Sequence, residues 1–431
     1  MATKVETPAL GVHPIRVTEN VSITIDRNAL ARVMAHLARV VERRTTIPIL
    51  GNVRLSPGDR YLTLTATDLD IEARVDVDCE VSGSGDITVP ARTLNDIVRK
   101  IAEGATVSLG WDSAGATVTV RSGRSRFALQ ALPASDFPDL TAGDMPHRFT
   151  MPAATMLALI EATSFAIPTD ETRYYLNGIY LHCPTDGENG SLLRGVATDG
   201  HRLARFDAPA PEGASGMPGI IVPRKTAGEI ARLAKDAMDK QGNGDIEVAL
   251  SPSKIRVSAT HVTLTSKLID GTFPDYQRAI PSGNDKRATL AREAFARAAD
   301  RVATISSEPG RAVKLSFEPA SDPQSGNRLV GGEDAEKNTG KLRLSATNSD
   351  AGSAEEEIEA QYDEAALDIG FNSRYLADIL AALGNPLARM GQVPSAGGDT
   401  VLVKLGDPGS PTLFQKSEAD NLLIVLMPMR V

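Results

Sequence analysis

The sequence is poor in residues that staple or stack. Two cysteines, Cys79 and Cys183, in 431 residues exclude a disulfide framework and a cysteine-rich zinc site. Aromatic side chains make up 4% of the chain, with one tryptophan, which leaves few platforms on which single-stranded bases could stack. No apolar run approaches the roughly 20 residues of a membrane helix. The opening MATKVETPALGVHPIR lacks the apolar stretch of a signal peptide, so a soluble, cytoplasmic protein without a membrane partner is expected. Positive charge is also in deficit. A net charge of −9 argues against a generally basic nucleic-acid binder, although DNA needs only a local positive surface.

Catalytic signatures are missing as well. The six histidines form no HExxH or similar metal-ligand pair, and the chain has no GxSxG elbow, Walker loop or GxGxxG turn. Asp199-Gly200-His201 could open the catalytic set of a hydrolase or nuclease, but no elbow serine accompanies it. Asp68 and Asp70 are a lone carboxylate pair. A non-catalytic protein without metal or cofactor is therefore expected.

What the chain does have is repetition, the first thing to settle about an architecture. Val89-Pro90-Ala91-Arg92 leads into a helical pattern, as do Val222-Pro223-Arg224-Lys225 and Phe371-Asn372-Ser373-Arg374. Ala66-Thr67-Asp68 returns as Ala197-Thr198-Asp199 and as Ala346-Thr347-Asn348. Phe137-Pro138-Asp139 returns as Phe273-Pro274-Asp275. Three repeats follow, 16–146, 147–283 and 284–431, preceded by an extension over 1–15. This agrees with about three domains at roughly 150 residues each. Residues 318–341, polar and Gly-rich, read as an inserted mobile loop. Within each repeat an amphipathic helix comes early, alternating strands follow, and a second helix opens at the VP-x-[RK] string or its FNSR counterpart. Asp26 suits a helix N-cap and Pro152 a first helical turn. Two helices on antiparallel sheets, three times over, make an α+β protein.

Charge is partitioned. In the first predicted helix Arg27, Arg32, Arg39, Arg43 and Arg44 outnumber Asp26 and Glu42, and five of the six helices are net positive within a negative chain. Helices sharing one positive face would suit a polyanion. Near the end of the first repeat Arg124 and Arg126 precede Phe127 and Leu129, which share one strand face. The third repeat carries Glu355, Glu356, Glu357 and Glu359. A basic edge and an acidic edge favour head-to-tail contact, which closes into a ring when the rotation allows.

Eight strings carry a family resemblance: IPILGN (47–52), RSGRSRF (121–127), LPASDFPDL (132–140), RYYLNG (173–178), ATDGHRLA (197–204), VPRK (222–225), SKLIDGTFPDY (266–276) and MPMRV (427–431). In these the chain resembles the beta sliding clamps, the processivity subunits of bacterial DNA polymerase III, over nearly its whole length. The resemblance implies three tandem DNA-clamp repeats and a head-to-tail homodimeric ring around double-stranded DNA, tethering the polymerase. Its dimer contacts would be Arg124, Arg126, Phe127 and Leu129 against Glu355 and Glu357. It also implies a peptide pocket for the polymerase, the clamp loader and other clients, between the second and third repeats. That pocket would use Leu176, Thr198, Gly200, His201, Arg202, Leu203, Pro274, Arg278, Val425, Met427, Pro428, Met429 and Arg430, with Asn372 and Tyr375 on its far side. Arginine and histidine would stand at its rim. Arg44, Arg173, Tyr174 and Tyr175 would touch DNA weakly, without reading bases. Val431, Ala279 and Gly310 depart from the family pattern and bear on pocket shape. A protein-only scaffold of three repeats would keep the pocket but have no topological hold on DNA.

Overall fold

The computed structural model describes residues 20–42, 45–112, 116–140, 143–170, 172–184, 192–238, 241, 243–306, 311–319, 340–386, 399–418 and 420–430. The expected extension 1–15, Arg44, Gly310 and Val431 lie outside them, as do residues 320–339 of the expected insertion. Two compact units emerge from the packing, Met1–Thr141 with His261–Thr265, and Ala142–Thr260 with Ser266–Val431.

In the first unit β1 (Val21–Asp26), α1 (Arg27–Val40), β2 (Asn52–Pro57), β3 (Tyr61–Thr67), β4 (Ile71–Asp78), β5 (Glu80–Ser82) and β6 (Ile87–Pro90) lead to α2 (Ala91–Lys100). Then come β7 (Thr106–Trp111), β8 (Thr117–Ser122), β9 (Ser125–Gln130) and β10 (Leu132–Pro133). Its strands form two antiparallel arrays, β5-β1-β7-β8-β9 and β10-β6-β2-β3-β4. Helix α1 buries Leu30, Val33, Met34, Leu37 and Val40, one stripe at helical spacing. The Asp26 carboxylate accepts the Ala29 amide at 2.9 Å, satisfying a first-turn donor that would otherwise have no partner. The helix stops at Val40, short of the expected end at Arg44, because Val41 turns extended.

The second unit repeats this grammar twice. Its first half runs β11 (His147–Pro152), α3 (Ala153–Thr163), β12 (Gly178–His182), β13 (Leu192–Thr198), β14 (Arg202–Pro209), β15 (Ile220–Pro223), α4 (Arg224–Ala237), β16 (Asp245–Leu250) and β17 (Lys254–Ala259), and β18 (Val262–Lys267), next in the chain, belongs through Thr265 to the first unit. Its second half runs β19 (Lys286–Ala291), α5 (Arg292–Ala303), β20 (Ala312–Glu318), β21 (Gly340–Asn348), β22 (Gly352–Ala360), β23 (Leu367–Asn372), α6 (Ser373–Gly384), β24 (Thr400–Leu405), β25 (Thr412–Gln415) and β26 (Leu422–Leu426). Pro152 is the N-cap of α3, one step before the expected first turn. Helix α3 is buried on nearly every side, which accounts for its lack of basic residues. Strand β14 pairs with β26 from Arg202↔Leu426 to Phe206↔Leu422, so the sheets of both halves merge into one of eight strands, β15-β12-β13-β14-β26-β25-β24-β19. That pairing carries the C-terminal strand to the second repeat.

The recurring strings have structural reasons. Asp68 Oδ1 accepts the amides of Asp70 and Ile71 at 2.9 and 2.8 Å. Asp199 Oδ1 accepts those of His201 and Arg202 at 2.9 Å, and Asn348 Oδ1 that of Asp350 at 2.9 Å. A short side chain that bonds its own backbone two residues on is the usual stitch of such a turn. Pro90, Pro223 and Asn372 each stand at the junction where a strand becomes a helix.

Candidate functional site

The site is built where β13 turns into β14. Gly200 sits in that turn with φ +88°, a region glycine enters without steric cost. A Cβ there would also meet Arg173 Nη1 at 2.9 Å. Thr198 Oγ1 donates to the Arg202 carbonyl at 2.7 Å and accepts the Gly200 amide at 3.1 Å. The turn is therefore rigid, and it holds His201 exposed at its tip.

Below the turn lies an apolar floor. Leu176, Val196, Leu203, Ile221, Phe273, Tyr276, Leu413, Leu423 and Val425 form one buried cluster, with Leu176 supplied by a 3₁₀ turn over Tyr174–Leu176. Behind it Tyr180 stacks on Phe273, with ring centroids 4.9 Å apart. The Tyr276 hydroxyl meets Arg194 Nη1 and His182 Nε2, each at 3.1 Å. Arg194 is clamped to Asp207 at 2.6 and 2.9 Å. Burial works against its charge, but the bonds to Asp207 and Tyr276 win and raise its pKa. Sequence reasoning missed this support, although the aromatic run in SKLIDGTFPDY was a visible signal for it.

The tail closes one side. The Met427 amide donates to the His201 carbonyl at 2.8 Å and the Met429 amide to that of Gly370 at 2.7 Å. The chain end is thus stitched between the β14 turn and β23, with Met427 41% exposed. Pro428 and Met429 are half-buried and Arg430 is exposed. On the other side Asn372, expected to line the far wall, uses its Oδ1 to cap α6, accepting the amides of Arg374 and Tyr375 at 3.0 and 3.2 Å. The Tyr375 ring faces His201 at 6.1 Å with the two planes 25° apart, and burial pushes its hydroxyl pKa up. Pro274 is exposed. Arg278 is exposed too, in an ion pair with Asp275 at 2.9 Å.

Arg202 differs most from expectation. Expected at the rim, its side chain is only 9% exposed. Its guanidinium donates to Asp199 at 3.1 Å, to Asp378 of α6 at 2.6 Å and to the Phe165 carbonyl at 2.6 Å, and it lies over the Tyr375 ring at 4.4 Å. Nothing in the sequence marked Asp378 as its partner. Asp199 is likewise absorbed by the turn and by Arg202, which leaves it no role as an activator of His201.

Of the residues expected at DNA, Arg173 donates to the Asp199 carbonyl at 2.9 Å and so belongs to the turn. Tyr174 is 58% exposed, edge-on to Tyr175 at 5.7 Å. Exposed basic side chains stand on the helices, among them Arg32, Arg39, Arg92, Arg99, Lys225 and Lys235.

The expected dimer residues occupy two sheet edges. Strand β9 is an edge, and on it Arg126 and Phe127 are exposed whereas Leu129 is already buried in its own chain. Strand β22 is an edge of the sheet β22-β21-β20-β23. Its Glu355 is paired with Arg343 at 3.1 Å and its Glu357 with Lys341 at 2.6 Å, while Glu356 faces the other way and bonds Arg301.

Comparison with known proteins decides the family. Models of the N-terminal, central and C-terminal domains of the DNA polymerase III beta subunit match residues 21–141, 150–275 and 334–430. The chain belongs to the bacterial beta sliding clamp family. It is 43% identical over 409 residues to the beta sliding clamp of Caulobacter vibrioides, covering 95% of this chain and 100% of that one. With the Escherichia coli beta sliding clamp it shares 36% over 414 residues, covering 95% and 99%. Among solved structures, the sliding clamp from Bartonella birtlesii bound to griselimycin matches with a TM-score of 0.83 at 42% identity, over 95% of this chain and 100% of that one. The three clamp repeats are thus family domains. Among the described residues, no helix is long and apolar enough to cross a membrane.

Proposed function

We propose that the chain is a DNA polymerase processivity factor, a non-catalytic ring of two copies that encircles duplex DNA and tethers client proteins. Its clamp domains would span 16–146, 147–283 and 284–431. The observation that carries the client part is a buried apolar cluster in the second unit, which we read as the floor of a groove. Leu176, Leu203 and Val425 form an apolar floor, walled by Met427 and by Tyr375, with His201 at the lip. Such a slot suits a short polypeptide segment, since a few buried anchors carry most of a small interface and methionine walls adapt to them. Exposed basic side chains on the helices support loose contact with phosphates. Several loose phosphate contacts of this kind would give sliding without sequence preference. Phe127 on one edge strand and the acidic face of β22 on another support head-to-tail pairing of copies.

Loading onto nicked circular DNA tests the hold. A ring stays on the circle in high salt, where direct phosphate contacts weaken, and leaves once the circle is linearised. Equal retention on both forms would refute the topological reading and favour ordinary binding. Failure to be retained at all, with peptide binding intact, would favour a protein-only scaffold.

A further inference from the structure

We propose that Arg202 and Asp378 form a latch that sets the opening of the client groove, Arg202 acting as a positioning residue through its bonds to Asp199 and Asp378. The inference rests on the groove reading above and adds how the groove is kept in shape. The groove is assembled from two repeats: its floor comes from the Tyr174–Leu176 turn, β13, β14 and β26, its lip from the turn before β14 and its far wall from α6. Backbone pairing of β14 with β26 aligns the sheets, buried Leu376, Ile379, Leu380 and Leu383 seat α6, and Asn385 at its C-terminal end donates to Glu161 of α3 at 2.7 Å; the N-terminal turn, which carries Tyr375, is tied to the second repeat through Asp378. The pair at 2.6 Å is a direct charged bond between the β14 turn and α6.

The chemistry of the latch fits a fixed position. Arg202 has its charge shared between Asp199 and Asp378, a third bond on the Phe165 carbonyl, and ring faces of Tyr375 and Phe165 at 4.4 and 5.2 Å. A planar guanidinium can serve all of these at once, which a lysine ammonium cannot. A buried charge also resists displacement, because breaking one partner leaves the other uncompensated. The same Asp199 that holds Arg202 also holds the turn amides of His201 and Arg202, and the His201 carbonyl holds the Met427 amide. Lip, far wall and tail therefore converge on one ion pair. Loss of Asp378 frees the first turns of α6 at the lip while Asn385 and Glu161 hold its other end, so that Tyr375 shifts and the far wall no longer meets the anchors.

Griselimycin, bound in the solved Bartonella relative, serves as the probe. Its affinity is measured by calorimetry for the full chain and for Asp378→Asn, Arg202→Lys and the double variant, with methyl spectra of labelled Met427 and Met429 in parallel. Asp378→Asn is the mild change, since that carboxylate is 39% exposed. It is expected to weaken binding about tenfold, as for a lost hydrogen bond to a charged group, and to move the Met427 methyl signal in the ligand-free chain. Arg202→Lys is expected to do the same, and the double variant to be no worse than either, because both break one unit. Unchanged affinity and methyl signals in Asp378→Asn, with griselimycin shifting Met427 and Met429 in the unaltered chain, would overturn the latch and leave the groove intact. Griselimycin that binds without shifting either methyl would instead overturn the groove reading and the latch with it.

Discussion

Phe127→Ala should separate the two copies of the ring, and the structure says how strongly. Sequence spacing places Phe127 and Leu129 on one strand face, and the register Val120↔Phe127 and Val118↔Leu129 agrees. Yet Phe127 is 38% exposed and Leu129 only 7%, so only Phe127 has area left for a partner. A phenylalanine has roughly 200 Å² to bury, so about 75 Å² remain, and at ~25 cal/mol per Å² this contributes about 2 kcal/mol per edge. Two edges per ring give about 4 kcal/mol, close to a thousandfold in dissociation constant. Sedimentation velocity at micromolar concentration would then show species of 45.7 kDa in place of the dimer. Leu129→Ala should behave differently, costing about 2–5 kcal/mol of fold stability while moving the dimer constant far less. Arg126→Glu should weaken the dimer less than about fivefold, since Glu355 and Glu357 already have Arg343 and Lys341 as partners. A Phe127→Ala chain that dimerises like the unaltered one, or a Leu129→Ala chain that falls apart with its unfolding midpoint unchanged, would refute the assignment of the interface to Phe127.

Deleting residues 427–431 should abolish binding of a synthetic polymerase-tail peptide in fluorescence polarisation while the chain remains dimeric by sedimentation; equal binding would move the docking site elsewhere. Asp26→Ala should cost about 1 kcal/mol through the lost cap, seen as a urea midpoint lower by about 0.3–1 M in the fluorescence of Trp111, the single, fully buried tryptophan. Asp399 has a lowered pKa: burial opposes its charge, but hydrogen bonds from Lys416 and Arg292 outweigh this. A folded value below the ordinary 3.8 means the pair stabilises above that pH and is lost as pH falls through the depressed value. Asp399→Asn should therefore lower the melting temperature at pH 7 and converge with the unaltered chain in strong acid; a gap that stays constant with pH would mean that charge is not the cause.

Much of the fold was legible because repeated turns leave repeated residues. Asp68, Asp199 and Asn348 recur because each uses a side-chain oxygen to satisfy turn amides, and Pro90 and Pro223 recur because a helix begins after each. Contacts between elements far apart in sequence were not legible. Asp378 lies on α6 with nothing around it to mark it as the partner of Arg202, since their pairing depends on where β26 lays the third repeat beside the second. Asn372 was legible as part of a motif but not as a cap. The Glu355–Glu357 run read as an acidic patch because strand register was unknown; register sends Glu356 to the opposite face, sets Arg343 of β21 across from Glu357 and Lys341 across from Glu359, and so puts both cations within reach of the run.

The first repeat shows why a shared skeleton does not imply a shared site. Strand pairs Asn52↔Pro90 and Gly178↔Pro223 bring the two outer sheets into correspondence, so that Arg54 stands where Tyr180 does, Thr65 where Val196 does, and Glu72 where Leu203 does. The first repeat also has a cleft there, about 320 Å³, closed by Phe137, Pro138 and Asp139 as Phe273, Pro274 and Asp275 flank the groove. Its lining is polar. Arg54 is bonded to Asp86 at 2.5 and 2.9 Å, and Glu72 accepts the Leu140 amide at 3.2 Å. A leucine anchor buried in the second repeat gains roughly 1.5–3 kcal/mol. The same anchor in the first would strip water from an ion pair and a hydroxyl without replacing their hydrogen bonds, at a cost of about 1–3 kcal/mol per group. Three exchanges on one sheet face thus reverse the sign of apolar docking, and confine it to the second repeat of this pair although backbone, turn and flanking string are alike.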